Sequence, residues 1–334
     1  MIAKRSFGAS GVEASEIGFG AWTLGLDWWG EVSPPDARSL VERAIELGVT
    51  FFDTADTYGA GLGEERLGAA LAGRRDEVTI ATKFGYVIDA RPGGHSEKPQ
   101  RWDPEFIRAA CEASLRRLGT DVIDLYELHN PRMPQIYDDA IFSTLEELKA
   151  SGKIRAYGVA LGPAIGWEAE GVQALRTRRI DALQTVYNLL EQEPGNAFGA
   201  EAGEATGLIA RVPHASDALS GRFTPDTVFP ASDHRSFRKR EWLLRALRKV
   251  ERLDFLCETR TIGQAAVAWI LAQPGITTVL PTVTTVEQLE EFAAAASLTL
   301  SDQEVARVRD LYERDFDLPP PSADEQIELR ATTA

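Results

Sequence analysis

The chain has 334 residues, 44% of them hydrophobic and 26% charged, with a formal net charge of −15 at pH 7. That composition supports a large buried core, and the acidity disfavours nucleic acid or an anionic membrane surface as a partner, although a local basic pocket for a phosphorylated ligand stays possible. No run reaches the roughly 18 uninterrupted apolar residues of a membrane span, MIAKRSF lacks the apolar stretch of a secretory signal, and Cys111 and Cys257 have no metal-ligand spacing, so a cytoplasmic protein without disulfides or structural zinc is expected.

In chain order, IAKRSFGASGVEAS alternates around a glycine turn and reads as a β-hairpin. Strand-like runs follow at 16–20, 50–54, 78–83, 122–128, 154–160, 180–187, 207–212 and 277–282. Amphipathic helical segments lie between them, among them 36–48, 104–119, 137–152 and 261–275, several ending at Gly. Regular alternation of this kind calls for parallel strands with right-handed crossovers, and eight such units close into a barrel. An open doubly wound sheet is the rival, but no GxGxxG turn follows the first strand; GFGAWTLG has glycines without a helix start after them. The expected fold is therefore α/β: a (β/α)8 TIM barrel over residues 1–317 as a single unit, with the hairpin closing its bottom and long βα loops at its carboxyl rim. From Leu318 the segment LPPPSADEQIELRATTA loses hydrophobic periodicity and reads as a tail, mobile or laid over the barrel mouth.

Chemistry in such a barrel gathers at the carboxyl ends of the strands. The second strand ends at Asp53 and its loop carries Tyr58, the third ends at Lys83, and the fourth runs into His129. Each has an ordinary role available: turn cap, half-buried aromatic, surface charge, loop histidine. Together they form a proton-transfer set in which an ammonium lowers the pKa of a phenol, a carboxylate holds the ammonium, and an imidazole donates a hydrogen bond to a substrate oxygen.

FFDTADTYG, ATKFG and LYELHNP resemble, in order and spacing, the segments that carry the Asp, Tyr, Lys and His tetrad of the aldo/keto reductase family, and GFGAW, LQTVYNLLEQEP and LPTVTTVEQLEE extend the resemblance along the chain. It implies Tyr58 as general acid or base, Lys83 and Asp53 as its tuning partners, and His129 as the group orienting substrate. It also implies a nicotinamide dinucleotide across the barrel mouth, held by Gly20, Ala21 and Trp22, by Asp53, by Gln184, and by residues after later strands. The family's Gly-Val-Ser-Asn reads GVALG here, with Ala160 and Leu161 in place of two polar contacts. Its Tyr-Ser-Pro-Leu reads Arg211, Val212, Pro213, His214, which puts a guanidinium where an aromatic ring stacks and where a cationic nicotinamide would need a compensating anion.

ASDALSGRF resembles the pyrophosphate belt, with Ser216, Leu219, Gly221 and Arg222 at matching positions. In the last loop Gln288 and Glu291 are kept, and Pro281, Thr282 and Thr284 are candidate contacts, but the family's Gly-x-Arg reads Thr282, Val283, Thr284, so Thr284 replaces the Arg that grips a 2′-phosphate; Phe292 replaces an adenine-binding Asn and is expected to pack rather than stack. NADP(H) is favoured by the resemblance, with NAD(H) open; no metal is expected. Trp22, Trp28 and Trp29, with Tyr58 and His129, are the candidate substrate contacts, and Arg91, His95, Lys98 or Arg101 can attract an anionic group. The expected function is NAD(P)(H)-dependent interconversion of an aldehyde or ketone with an alcohol, acting on a small molecule. The departures leave two alternatives: a cofactor-independent lyase or isomerase using the same proton-transfer set, and a non-catalytic subunit sensing a dinucleotide. Oligomeric state is not legible.

Overall fold

The computed structural model describes residues 2–90, 98–162 and 167–320; Arg91 and His95 lie outside the described residues, as does the tail beyond residue 320. Two short strands, β1 (Lys4–Ser6) and β2 (Glu13–Ser15), pair antiparallel as the expected hairpin. Eight parallel strands follow, each hydrogen-bonded to its sequence neighbour: β3 (Gly18–Gly20), β4 (Phe51–Asp53), β5 (Thr79–Phe84), β6 (Ile123–His129), β7 (Ile154–Ala160), β8 (Ala182–Val186), β9 (Gly207–Arg211) and β10 (Ile276–Leu280). Parallel bridges between Ile17 and Val279 and between Gly20 and Thr282 bring the last strand against the first, so the sheet closes nearly into a barrel. Every strand-like run read from the sequence coincides with one of these strands.

The helices are α1 (Trp22–Gly25), α2 (Pro34–Glu46), α3 (Leu62–Ala70), α4 (Pro104–Leu118), α5 (Met133–Tyr137), α6 (Asp139–Ala150), α7 (Glu168–Thr177), α8 (Gly195–Ala202), α9 (Arg240–Glu251), α10 (Ile262–Leu271), α11 (Val286–Ala294) and α12 (Asp302–Glu313). Their starts are local chemistry. Ser33 and Asp103 accept backbone N–H bonds ahead of Pro34 and Pro104, while Thr261 with Gln264 and Ser301 with Glu304 form reciprocal capping boxes. The helix expected over 137–152 is divided, because the Asp138 carboxylate accepts the Ala140 N–H and starts α6 afresh after α5. No helix of the described residues is long and apolar enough to cross a membrane.

Strand periodicity sorts the inward-facing side chains into layers. The lowest layer is apolar: Phe51, Ala81, Leu125, Ala156, Ala182, Ile209 and Leu280 pack with Phe7, Val12 and Ala14 of the hairpin. Phe7 meets Phe51 with ring centroids 5.5 Å apart, so the hairpin stoppers the barrel's amino end. Two residues further along each strand the same inward row carries Asp53, Lys83, Glu127, Gln184 and Arg211. The apolar floor thus ends where the polar site begins.

Candidate functional site

Tyr58 is placed by a crowded turn. After Asp53 the chain turns through Gly59, Ala60 and Gly61, all with positive φ, before α3 begins at Leu62. A Cβ on Gly59 would lie 2.4 Å from the Gly25 carbonyl oxygen, and one on Gly25 would lie 2.6 Å from that of Tyr58. Only glycines let the first two loops approach so closely, and their contact fixes the backbone of Tyr58 at the rim.

Beneath it Lys83 is fully buried and donates to both carboxylate oxygens of Asp53, at 2.8 and 2.7 Å, and to the Thr54 carbonyl at 2.7 Å. All three ammonium protons are thereby engaged. Burial works against the charge on Lys83 and is the largest single influence, but Asp53, Tyr58 and Glu127 together outweigh it and the pKa is raised. The ammonium stands 5.5 Å from the centroid of the Tyr58 ring. The expected lowering of the phenol pKa is not the net result: burial raises it, Lys83 opposes with a smaller pull, and Asp53 adds to the rise. Lys83 softens the cost of a buried phenolate without cancelling it.

The His129 ring lies edge-on to Tyr58, centroids 6.3 Å apart at 89°, and edge-on to Tyr86 at 5.3 Å. Burial, reinforced by Lys83 and Arg211, holds its pKa well below 6.5, so the imidazole is neutral near pH 7. Its Nδ1 is buried without a hydrogen-bond partner. The tautomer that strands no buried donor puts the proton on Nε2, leaving that nitrogen to donate outward.

Gln184 does not hang free at the mouth. Its Nε2 donates to Asp53 Oδ1 at 2.8 Å and reaches Glu127 Oε2 at 3.4 Å. Glu127 is fully buried, its Oε1 lacks any partner, and burial raises its pKa to about 8, with Asp53 assisting and Lys83 and Arg211 opposing. Sequence reading passed over Glu127. The signal was a lone carboxylate in the apolar strand LYELH, at the inward parity of His129.

The residues matched to a dinucleotide site gather along the rim. The Ala21 N–H donates to the Asp53 carbonyl at 2.8 Å, and Trp22 Nε1 donates to the Thr282 hydroxyl at 3.2 Å, beside the Gly20 bridge. Ala160 and Leu161 are buried, with Leu161 packed toward Gly171 of α7, and the Leu161 carbonyl accepts from Arg211 Nη2 at 3.1 Å. Arg211 forms no ion pair within 4 Å among the described residues. Val212 has positive φ and its carbonyl accepts from Asn188, while Pro213 is buried.

His214 is also buried. It stacks on Phe292 at 4.1 Å, approaches the Gly263 carbonyl at 3.2 Å through Nε2, and is lowered by burial from 6.5 to about 4. Phe292 packs, as expected. Ser216 has positive φ and accepts from Arg238 at 3.4 Å; Leu219 is core; Gly221 has positive φ; and Arg222 pairs with Asp217 at 2.9 Å. Pro281 is buried, Thr284 donates from both N–H and hydroxyl to Gln288, and Glu291 accepts from Thr261.

The tryptophans have a structural role the sequence did not show. Trp28 stacks on His234 at 4.6 Å and 11°, and Trp22 packs edge-on against Trp29 at 5.0 Å. Arg235 lies 4.3 Å from the Trp29 ring and 5.2 and 5.0 Å from Phe223 and Phe229, while pairing with Asp217 and Asp233. This latch joins the first loop to the long segment after β9. Of the basic residues offered for anionic substrates, Lys98 donates to the carbonyls of Ile88 and Ala90, and Arg101 pairs with Asp103.

The aldo/keto reductase family profile matches residues 16–313. The chain is similar to the aldo-keto reductase YhdN of Bacillus subtilis, 30% identical over 94% of this chain and 95% of that one. It is likewise similar to an NADH-specific methylglyoxal reductase of Escherichia coli, 29% identical over 93% and 98%. A glycerol dehydrogenase from Gluconobacter oxydans superimposes with a TM-score of 0.80 at 26% identity, covering 96% of this chain and 98% of the other.

Proposed function

The chain belongs to the aldo/keto reductase family of oxidoreductases, and from that premise we propose that it interconverts a small aldehyde or ketone with its alcohol, using a nicotinamide dinucleotide. The observation that carries this reading is Tyr58 and His129 facing each other at the rim above the buried Lys83–Asp53 pair. An oxygen seated between those two rings accepts a hydrogen bond from neutral His129, which polarises the carbonyl without adding a charge. Tyr58, kept protonated by burial, delivers the proton as the alcohol forms, and the nearby ammonium stabilises the phenolate left behind. In the reverse direction the same phenol takes the proton up.

The residues present fit a dinucleotide at the nicotinamide end. There the Trp22 indole is tied to Thr282, the Arg211 guanidinium is anchored by the Leu161 carbonyl, and the Nδ1 of His129 has no partner. The turn of positive-φ residues Ala215, Ser216 and Asp217, with Arg222 and Arg238 alongside, suits a diphosphate. Bound there, a nicotinamide would supply or accept the hydride. The adenosine end fits a 2′-phosphate poorly: α11 carries Glu287, Glu290 and Glu291, and residues 282–294 include no Lys or Arg. That charge pattern favours NAD(H) over the NADP(H) implied by resemblance.

Titrating the cofactor-stripped protein with NADH and with NADPH, read by tryptophan fluorescence and calorimetry, tests the reading. Tighter binding of NADH, and its oxidation with methylglyoxal or another small carbonyl, is expected. If neither dinucleotide binds at millimolar concentration, the hydride reading fails.

A further inference from the structure

Five strands send a polar side chain to the layer just below the rim: Asp53 from β4, Lys83 from β5, Glu127 from β6, Gln184 from β8 and Arg211 from β9. On β7 the residue in register with Glu127 is Gly158, which contributes no side chain. Counting charges among these groups leaves an imbalance. Asp53 is consumed by Lys83, which grips both its oxygens. Among the described residues Arg211 is anchored by the Leu161 carbonyl. Glu127 is the one inward carboxyl of this layer not gripped by a cation, and one of its oxygens has no partner at all. The acidic side chains that act on Arg211 are Asp53, already held by Lys83, then Glu191 and Glu127; a cationic ring at the rim would add a second positive charge there, and Glu127, the inward one with an unpartnered oxygen, is the group placed to gain a compensating negative charge.

We propose that Glu127 is an oxidation-state sensor for the dinucleotide: it is a neutral acid when the bound nicotinamide is reduced and ionises, releasing its proton to solvent, when the oxidised, cationic form binds. The inference rests on the dinucleotide reading above. No bond other than the carboxyl O–H breaks, and one proton leaves for each oxidised dinucleotide bound in the pH range where Glu127 is otherwise protonated. Gln184 couples the two carboxyls, since its single amide nitrogen serves both Asp53 and Glu127, and an added negative charge on Glu127 strengthens its share of that bond.

Burial brings Glu127 near neutrality, with a pKa of about 8. Its titratable neighbours move elsewhere: Tyr58 and Lys83 are raised and His129 is pushed well below 6.5, while burial lowers Arg211 from its ordinary 12.5. Proton release between pH 6.5 and 8 therefore reports on Glu127 among the groups that face it.

The test uses the full chain and binding alone, without turnover. Dissociation constants for NAD+ and NADH are measured from pH 6.5 to 8.5, and calorimetry in buffers of differing ionisation heat counts the protons released. For NAD+ the affinity is expected to rise on the order of tenfold across this range, with close to one proton released at the lower end, while NADH stays flat within about twofold. Glu127→Gln keeps an acceptor for Gln184 and should flatten the NAD+ profile and abolish proton release. Parallel profiles for the two forms in the unaltered protein, or proton release that persists in E127Q, would overturn the proposal while leaving the dinucleotide reading intact. If neither form binds, both fall together.

Discussion

A phenol is a weak acid near neutrality, and the barrel makes Tyr58 weaker still, so its value lies in position and in the ammonium 5.5 Å from its ring. Tyr58→Phe is expected to cut turnover by about 10²–10⁴-fold while leaving dinucleotide affinity within about twofold, which steady-state kinetics and fluorescence titration separate. Asp53→Asn removes the carboxylate paired with the fully buried Lys83. Leaving that charge uncompensated should cost about 3–5 kcal/mol, measurable by urea unfolding. His214 predicts a pH dependence. Its folded pKa of about 4 lies below its ordinary 6.5, so the unfolded chain binds the extra proton between those values. The contribution is fully present above pH 6.5 and is lost as pH falls towards 4. Denaturation midpoints of His214→Gln should decline less steeply over that interval, the remaining slope belonging partly to His129, which shifts the same way.

Among elements, the segment between β9 and α9 depends on contacts its own sequence does not advertise. Arg235 is held by two carboxylates and three aromatic rings, one of them Trp29 from the first loop. Arg235→Ala takes the guanidinium from Asp233, leaves Asp217 with Arg222 alone among the described residues, and opens the ring cage. Backbone hydrogen exchange over 214–239 is expected to quicken, and dinucleotide release to speed up on the order of tenfold. Unchanged exchange would show that the latch does not hold the segment. The tryptophans read as substrate contacts are thus structural pieces of the mouth, because a loop far along the chain returns to pack against them.

For the whole molecule, the hairpin and the eight strands make one continuous interior whose apolar floor supports the polar site. Phe7 is fully buried against Phe51, and Phe7→Ala should cost about 3–5 kcal/mol in urea unfolding. The sequence by itself determined the barrel, since strand periodicity, helix caps and crossover handedness are local signals that agree with one another. It pointed to the proposed proton-transfer set as well, because Asp53, Lys83 and His129 stand at or next to strand ends and Tyr58 in the turn after β4, and such positions are local facts. Only the tertiary structure decided what those residues feel. Burial overrode the lowering that Lys83 alone would give Tyr58, and Gln184 was drawn inward to bridge Asp53 and Glu127 from the far side of the barrel. Charge and hydrogen-bond energies depend on distance and on exclusion of water, and both are set when separate strands close around a common axis.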